Sequence, residues 1–417
     1  MLLHLLAMKI SKKSITVPML AAAMLFGCTN DNVAPGNDVN PVEIPASVSN
    51  GTTSFAFDFI HALQKSQGAE ENFFVSPLSL HMALGMLLNG AENETADEIQ
   101  KALKMDAVAL ADLNAAYNTL INDLPVADSK VSLGLANSVW YRNDFSVEND
   151  FQSVLKNAFE SEVTGLPFDD AAKDRINKWA SDKTNGKIPM VLDKIQPQHV
   201  MFLLNALYFT GDWRTKFDAA RTQDTPFTLE NGQSKNVKMM FAESDFEVGS
   251  ESNYDAVRLP YANGQFNMTL LIPKGLNSVD AVLNDITGEG WAKLNSGMTQ
   301  VGITVGLPRF TFKYSAQLKG TLQGMGIKRA FVEGNAQFGK INRLANLYVD
   351  FIKQDAYLGI DEKGTEAAAV TTIGVGTTSA GPVKPRLICD RPFGLIISEN
   401  TSNTILFMGR IKNPESK

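Results

Sequence analysis

The 417-residue sequence contains only two cysteines, Cys28 and Cys389, and four histidines, His4, His61, His81 and His199. No two histidines stand at metal-ligand spacing and no Cys-x-x-Cys pair occurs, so a zinc or dithiol centre has no donor set and each histidine reads as a capping, core or surface residue. A Gly-x-Ser-x-Gly nucleophile elbow and a Walker-type phosphate loop are both absent, which leaves an esterase or peptidase without support. Gly374-Val-Gly376 stops short of a dinucleotide fingerprint: the third glycine, the following helix and the acidic residue are missing. No cofactor is therefore expected. Basic runs are also lacking. With a net charge of −7 and no Lys/Arg stripe, nucleic acid is excluded as a partner. Inside residues 51–417 there is no Ser/Gly/Pro-rich gap, charge block or repeat, so one large domain is expected there.

The front of the chain is set apart. Met8-Lys-Ile-Ser-Lys-Lys13 supplies the basic region that export signals need, and Ile15–Phe26 is apolar but short and broken by Pro18. It closes on Leu25-Phe26-Gly27-Cys28, which resembles a bacterial lipoprotein cleavage site. Residues 1–28 are thus expected to be a signal peptide ending at a lipidated Cys28. The polar, aperiodic residues 29–50 are expected to be a disordered linker. The plainer alternative is a secretory signal with an incidental cysteine. A lipid there would place the protein on a bacterial outer membrane, facing the periplasm or the cell surface. It would also leave Cys389 without a disulfide partner, so that packing alone must stabilise an exported domain.

Periodicity predicts helices over Thr52–Lys65, Pro77–Asn89, Asn93–Leu103, Ala109–Leu120, Glu148–Phe159 and Ala171–Asp182, with Ser76 as a cap and Pro77 at a helix start. Val131–Tyr141 alternates as a strand, and Met201–Phe209 is a continuous apolar run, the pattern of a strand buried on both faces. Strand-like runs then dominate: Thr225–Leu229, Val237–Met240, Ala256–Pro260, Asn267–Ile272, Val301–Val305, Phe310–Tyr314, Leu387–Cys389, Leu395–Ser398 and Ile405–Arg410. Helices first and strands later is an α+β pattern.

The stretch from Asp361 to Ser379 reads two ways. Thr365, Ala367, Ala369, Thr371, Ile373 and Val375 would share one small, fairly apolar strand face, while Gly374, Gly376 and the Ser379–Pro382 turn signals argue for an exposed loop. A segment able to be both suggests a conformational switch triggered by cutting a peptide bond.

Asn72-Phe-Phe-Val-Ser-Pro-Leu-Ser79, Asn177-Lys-Trp-Ala-Ser-Asp-Lys-Thr-Asn-Gly-Lys-Ile188, Leu204-Asn-Ala-Leu-Tyr-Phe-Thr-Gly-Asp-Trp213, Asp361-Glu-Lys-Gly-Thr-Glu-Ala-Ala-Ala369, Asp390-Arg-Pro-Phe393 and Leu406-Phe-Met-Gly409 occur in order. Together they resemble the serpin family from about Ser54 to Pro414. The resemblance implies three β-sheets, eight or nine helices, an exposed reactive-centre loop and a monomer. It implies that a target protease attacks the loop, forms a covalent acyl-enzyme complex, and is carried away as the loop inserts into the main sheet. Thr365–Thr378, fourteen residues, would extend roughly 45 Å at about 3.3 Å each. Glu362, Gly364, Thr365, Glu366, Ala367, Ala368, Ala369 and Val370 match the hinge of that loop, whose small side chains let it fold inward.

Counting the family's usual seventeen residues from Glu362 makes the reactive bond Thr378–Ser379, while counting back from Arg391-Pro-Phe393 gives Gly381–Pro382. Val375, Thr377 and Thr378 suit a small S1 pocket, as in elastase-like or subtilisin-like serine proteases, with papain-like cysteine proteases as a second class. Arg309 and Glu362 match a salt bridge beside Trp213 where the loop meets the sheet. Ser76, Ser79 and Asn205 match a polar cluster under the opening strands, where Gln354 replaces the family's usual histidine. The other reading is a non-inhibitory binding or surface protein on the same fold. The hinge run favours inhibition, since Thr365 must be buried first. Thr365→Arg is therefore expected to convert inhibitor to substrate, with cleaved product replacing a covalent protease band on a denaturing gel.

Overall fold

In the computed structural model, residues 39–66, 71–365 and 384–415 are described. Nine helices lie among them: α1 Ala46–Ser66, α2 Pro77–Gly90, α3 Asn93–Ala102, α4 Leu110–Asp123, α5 Asn149–Ala158, α6 Asp170–Lys183, α7 Val279–Asp285, α8 Gly288–Gly297 and α9 Lys319–Gly324. The strands, in chain order, are β1 Phe73–Val75, β2 Val131–Arg142, β3 Glu162–Leu166, β4 Met201–Asp212, β5 Gln223–Thr228, β6 Ser234–Ser250, β7 Tyr254–Pro260, β8 Phe266–Pro273, β9 Thr299–Pro308, β10 Phe310–Gln317, β11 Lys353–Ile360, β12 Gly364–Thr365, β13 Arg386–Ile388, β14 Phe393–Glu399 and β15 Ile405–Ile411.

A six-stranded sheet has the order β10-β11-β12-β4-β2-β3. A nine-stranded array has the order β1-β15-β14-β8-β7-β6-β9-β13, with β5 on β6. The two smaller sheets that the sequence led us to expect are joined here, because β6 is long enough to pair with β5 and β9 along its course and with β7 at its end. β14 lies between β8 and β15, and every residue of β14 and β15 is buried.

The core lies between the sheets. α2 is apolar all round and almost wholly buried, as a helix under a sheet must be, and the side chain of Ser76 accepts from Ser79 N to cap it. On the other face of the six-stranded sheet, α6 sets Ile176, Trp179 and Ala180 against Trp140, Phe202 and Ala206 in a separate apolar layer. Both faces of β4 are thus covered, which accounts for its continuous apolar sequence.

Residues 39–50 correct the sequence reading. They are not a free linker: Val42 is buried, and α1 begins at Ala46, before the expected start. Val42 N–H donates to Thr401 Oγ1 (2.8 Å) and Ser49 Oγ to the Ser402 carbonyl (2.6 Å). The polar composition that suggested disorder serves hydrogen bonds to the β14–β15 turn, partners more than 350 positions away along the chain. The short helices α7, α8 and α9 were also not anticipated. Ser278 and Thr287 cap the first two, but α7 and α9, of seven and six residues, are too short to show a period, and α8 is masked by its three glycines.

His81 is buried in α2. Its Nε2 donates to the Leu103 carbonyl (3.1 Å), so its Nδ1 accepts from the Tyr117 hydroxyl (2.7 Å). Burial pushes its pKa down from 6.5 to about 4, with the backbone bond opposing. The unfolded chain therefore binds a proton between pH 6.5 and 4 that the folded chain refuses. Stability is expected to fall by roughly 3 kcal/mol over that window as pH drops. Denaturant midpoints measured against pH check this, and His81→Gln should flatten that part of the profile.

Candidate functional site

Between β4 and β11 of the six-stranded sheet lies a strand position that the described residues occupy at Gly364 and Thr365. A tight turn at Asp361–Gly364 puts the chain there: Asp361 Oδ1 accepts from Lys363 N (2.8 Å) and Gly364 N (3.1 Å), and Asp361 N donates back to the Gly364 carbonyl (3.0 Å). Gly364 then pairs with Asp212, and Thr365 with both Gly211 and Ile360. Glycine is required at 364, because a Cβ there would collide with the Gly211 carbonyl oxygen.

Thr365 is 4% exposed. Its carbonyl accepts from Thr210 Oγ1 (2.7 Å) and its hydroxyl meets the Tyr261 hydroxyl (2.5 Å). Tyr261 stacks on Trp213 with ring centroids 4.5 Å apart, and burial pushes its phenol far above the usual range, so it stays protonated at this contact. Trp213 binds the turn at two atoms: its backbone N–H donates to the Lys363 carbonyl (2.7 Å) and its indole N–H to the Asp361 carbonyl (3.0 Å). Glu362 accepts from Arg309 (3.2 Å) and from Thr222 Oγ1 (2.8 Å). Arg309 is half exposed, so the ion pair fixes the carboxylate's direction more than it adds stability.

Below Thr365, no strand pairing joins β11 to β4 among the described residues. A cavity of about 490 Å³ opens there, lined by β4, β11, the start of α2, and Trp179, Thr184 and Leu192 from α6 and the segment after it. Gln354 lies on its wall. It accepts from Ser76 N (3.0 Å) and donates to the Ser76 carbonyl (2.9 Å), tying β11 to the cap of α2. Asn205, on the opposite wall, donates to Asn137 Oδ1 (2.7 Å), while its own Oδ1 is buried without a hydrogen-bond partner. The polar residues singled out in the sequence therefore form two separate groups, one on each side of the slot: Ser76, Ser79 and Gln354, and Asn205 with Asn137.

Glu366, Ala367, Ala368, Ala369, Val370, Val375, Thr377, Thr378, Ser379, Gly381 and Cys28 lie outside the described residues. The chain resumes anchored in the other sheet: Lys384 pairs with Glu243 (3.0 Å), and β13 runs parallel to β9. Cys389 is fully buried, and burial, then the Asp390 charge, pushes its thiol up, away from reactivity. Tyr261, Thr210 and the Asp361 carboxylate were not singled out from the sequence. Tyr261 stands 104 residues from Thr365, and no local pattern marks such a pair.

The six-stranded sheet is thus entered at its head by the turn at Asp361–Gly364, and the chain from Lys384 onward is held in the second sheet. The family model described as Serpin (serine protease inhibitor) matches residues 50–414, and the chain belongs to the serpin family. The leukocyte elastase inhibitor of Xenopus tropicalis is 32% identical over 386 residues, covering 88% of this chain and all of that protein. Serine protease inhibitor 42Dd of Drosophila melanogaster is 30% identical over 361 residues, covering 85% of this chain and 95% of that one. Among solved structures, native tengpin, a thermophilic serpin, superposes with a TM-score of 0.82 at 29% identity, covering 90% of this chain and 96% of that one. The latent state of tengpin gives 0.78 at 28% identity, covering 91% and 100%.

Gly364→Ala is expected to drive β12 out of the sheet. Denaturant unfolding should show a loss of about 1–3 kcal/mol, the usual cost of forcing an atom into a packed site.

Proposed function

We propose that the protein inhibits serine proteases by acting as a suicide substrate, and that the chain after Thr365 enters the slot once the loop is cut. One observation carries this reading: Thr365 already pairs with both neighbours, and Gly364 with β4, at the head of a strand position that the described residues fill no further. β4 and β11 run parallel to one another, and a strand continuing from Thr365 would be antiparallel to both. Each backbone hydrogen bond so formed contributes on the order of 1 kcal/mol. A full strand sums to a large, one-way driving force.

Extending the present register brings Thr371 level with Asn205 on β4 and Gln354 on β11. A threonine hydroxyl there would come to the level of Asn205, whose buried Oδ1 now lacks a donor. The odd-numbered face of the loop, from Ala367 to Val375, is small enough to pass over the core. The relatives named as inhibitors point the same way.

The targets in this reading are proteases with a small S1 pocket, elastase-like or subtilisin-like, with papain-like cysteine proteases second, and the bond is Thr378–Ser379. Lipid attachment at Cys28, and with it a bacterial outer-membrane location, belongs to the same proposal and rests on the residues around Gly27-Cys28. No helix among the described residues is long and apolar enough to cross a membrane.

Incubation with elastase-, subtilisin-, trypsin- and papain-like proteases is expected to give a covalent band on denaturing gels with the first two. Mass spectrometry of the released C-terminal fragment reads the bond. Cleavage of the loop with no covalent band from any class, and no rise in melting temperature, would overturn inhibition and leave a non-inhibitory binding protein on this fold.

A further inference from the structure

The far end of the slot is also closed, by a contact between side chains. His199 stands two residues before β4, and Asp350 three residues before β11. His199 Nε2 lies 3.1 Å from Asp350 Oδ2. The Gln196 N–H donates to His199 Nδ1 (3.1 Å), so in the neutral ring the proton is on Nε2 and points at the carboxylate. The imidazole side chain is 8% exposed and lies against Phe202 of β4 (5.2 Å between centroids) and Phe351 (5.6 Å), which are themselves 6.2 Å apart. One hydrogen bond and one aromatic cluster thus bridge the same two sheet edges. The loop carrying Asp350 has its own support, since Lys319 Nζ donates to the Asp350 carbonyl (3.2 Å) and not to its side chain.

We infer that His199 and Asp350 form a latch across the lower mouth of the slot, and that this latch sets the rate at which the last part of the inserting strand seats. The inference rests on the insertion reading above. In the present register, Val375 comes level with both Met201 and Asp350. A strand at that level holds its two neighbours about 10 Å apart, twice the usual spacing, with its own side chains between them. The His199–Asp350 bond and the Phe202–Phe351 contact occupy that space, so latch and strand exclude one another there. Residues as far as Ile373 can seat with the latch shut. Those from Val375 to the acyl-linked end cannot, and they determine how far a bound protease is carried.

The experiment compares the full chain with Asp350→Ala and Asp350→Asn. The Asp350 side chain is 42% exposed, so neither replacement leaves a cavity. The loop is cut at saturating protease, and insertion is followed by tryptophan fluorescence, with melting temperatures taken before and after cleavage. Asp350→Ala is expected to insert about fivefold faster, the rate equivalent of losing one hydrogen bond. Asp350→Asn, which keeps an acceptor for Nε2–H, should stay within twofold of the parent. The cleaved forms of all three should melt together, because the latch is open in each; a merely structural role for Asp350 would lower the cleaved form as well. An Asp350→Ala rate within twofold of the parent, or a lowered melting temperature of its cleaved form, overturns the latch. A parent protein that gains no thermal stability on cleavage overturns the insertion reading instead.

Discussion

The strand position between β4 and β11, which the described residues fill only at Gly364 and Thr365, is the constraint on which the rest of this structure depends. Backbone donors and acceptors along β4 and β11 want partners, and the described chain supplies them for two residues only. Everything near the slot can be understood as holding those two edges at a workable distance. At the head, Gly364 and Thr365 act as a short splint, fixed by Thr210, Tyr261 and Trp213. At the foot, histidine, aspartate and two phenylalanine rings do the same by side chains alone. Between the two ends the walls are tied outward, not to each other: Gln354 reaches to the start of α2 and Asn205 to the neighbouring strand.

On the β11 side, that outward tying follows from the chemistry of one side chain. Glutamine offers a donor and an acceptor on the same planar group, and the Ser76 backbone offers the complementary pair, so both bonds close locally. The amide's second N–H makes no bond across the slot to Asn205, whose acceptor stays bare. A buried polar atom in that condition raises the energy of the present state. It adds to the imbalance of backbone groups on β4 and β11 that the described residues leave without strand partners.

Much of this could be read from the sequence, for identifiable reasons. α2 announced itself through Ser76, Pro77 and an apolar run, because it is buried almost throughout, and β4 through its predominantly apolar residues, because both its faces are covered. Thr365, expected from the sequence to be buried first, is indeed buried in β12. What stayed hidden has one feature in common, large separation along the chain. Tyr261 touches Thr365, Asp350 touches His199, and Val42 bonds to Thr401, and none of these pairs leaves a local trace. Residues 39–50 looked unstructured because their polar groups were counted without their partners. Short helices such as α9 were lost for a different reason, having too few residues to show a period.

The burial of the last two strands has a further consequence. β14 is locked between β8 and β15, and neither strand depends on the 366–383 connection for its place. A break in that connection would divide the polymer without dividing the particle. The two pieces would elute, diffuse and sediment as one body, and only unfolding would part them. The molecule can therefore be cut once in that connection and still carry its last two strands in place.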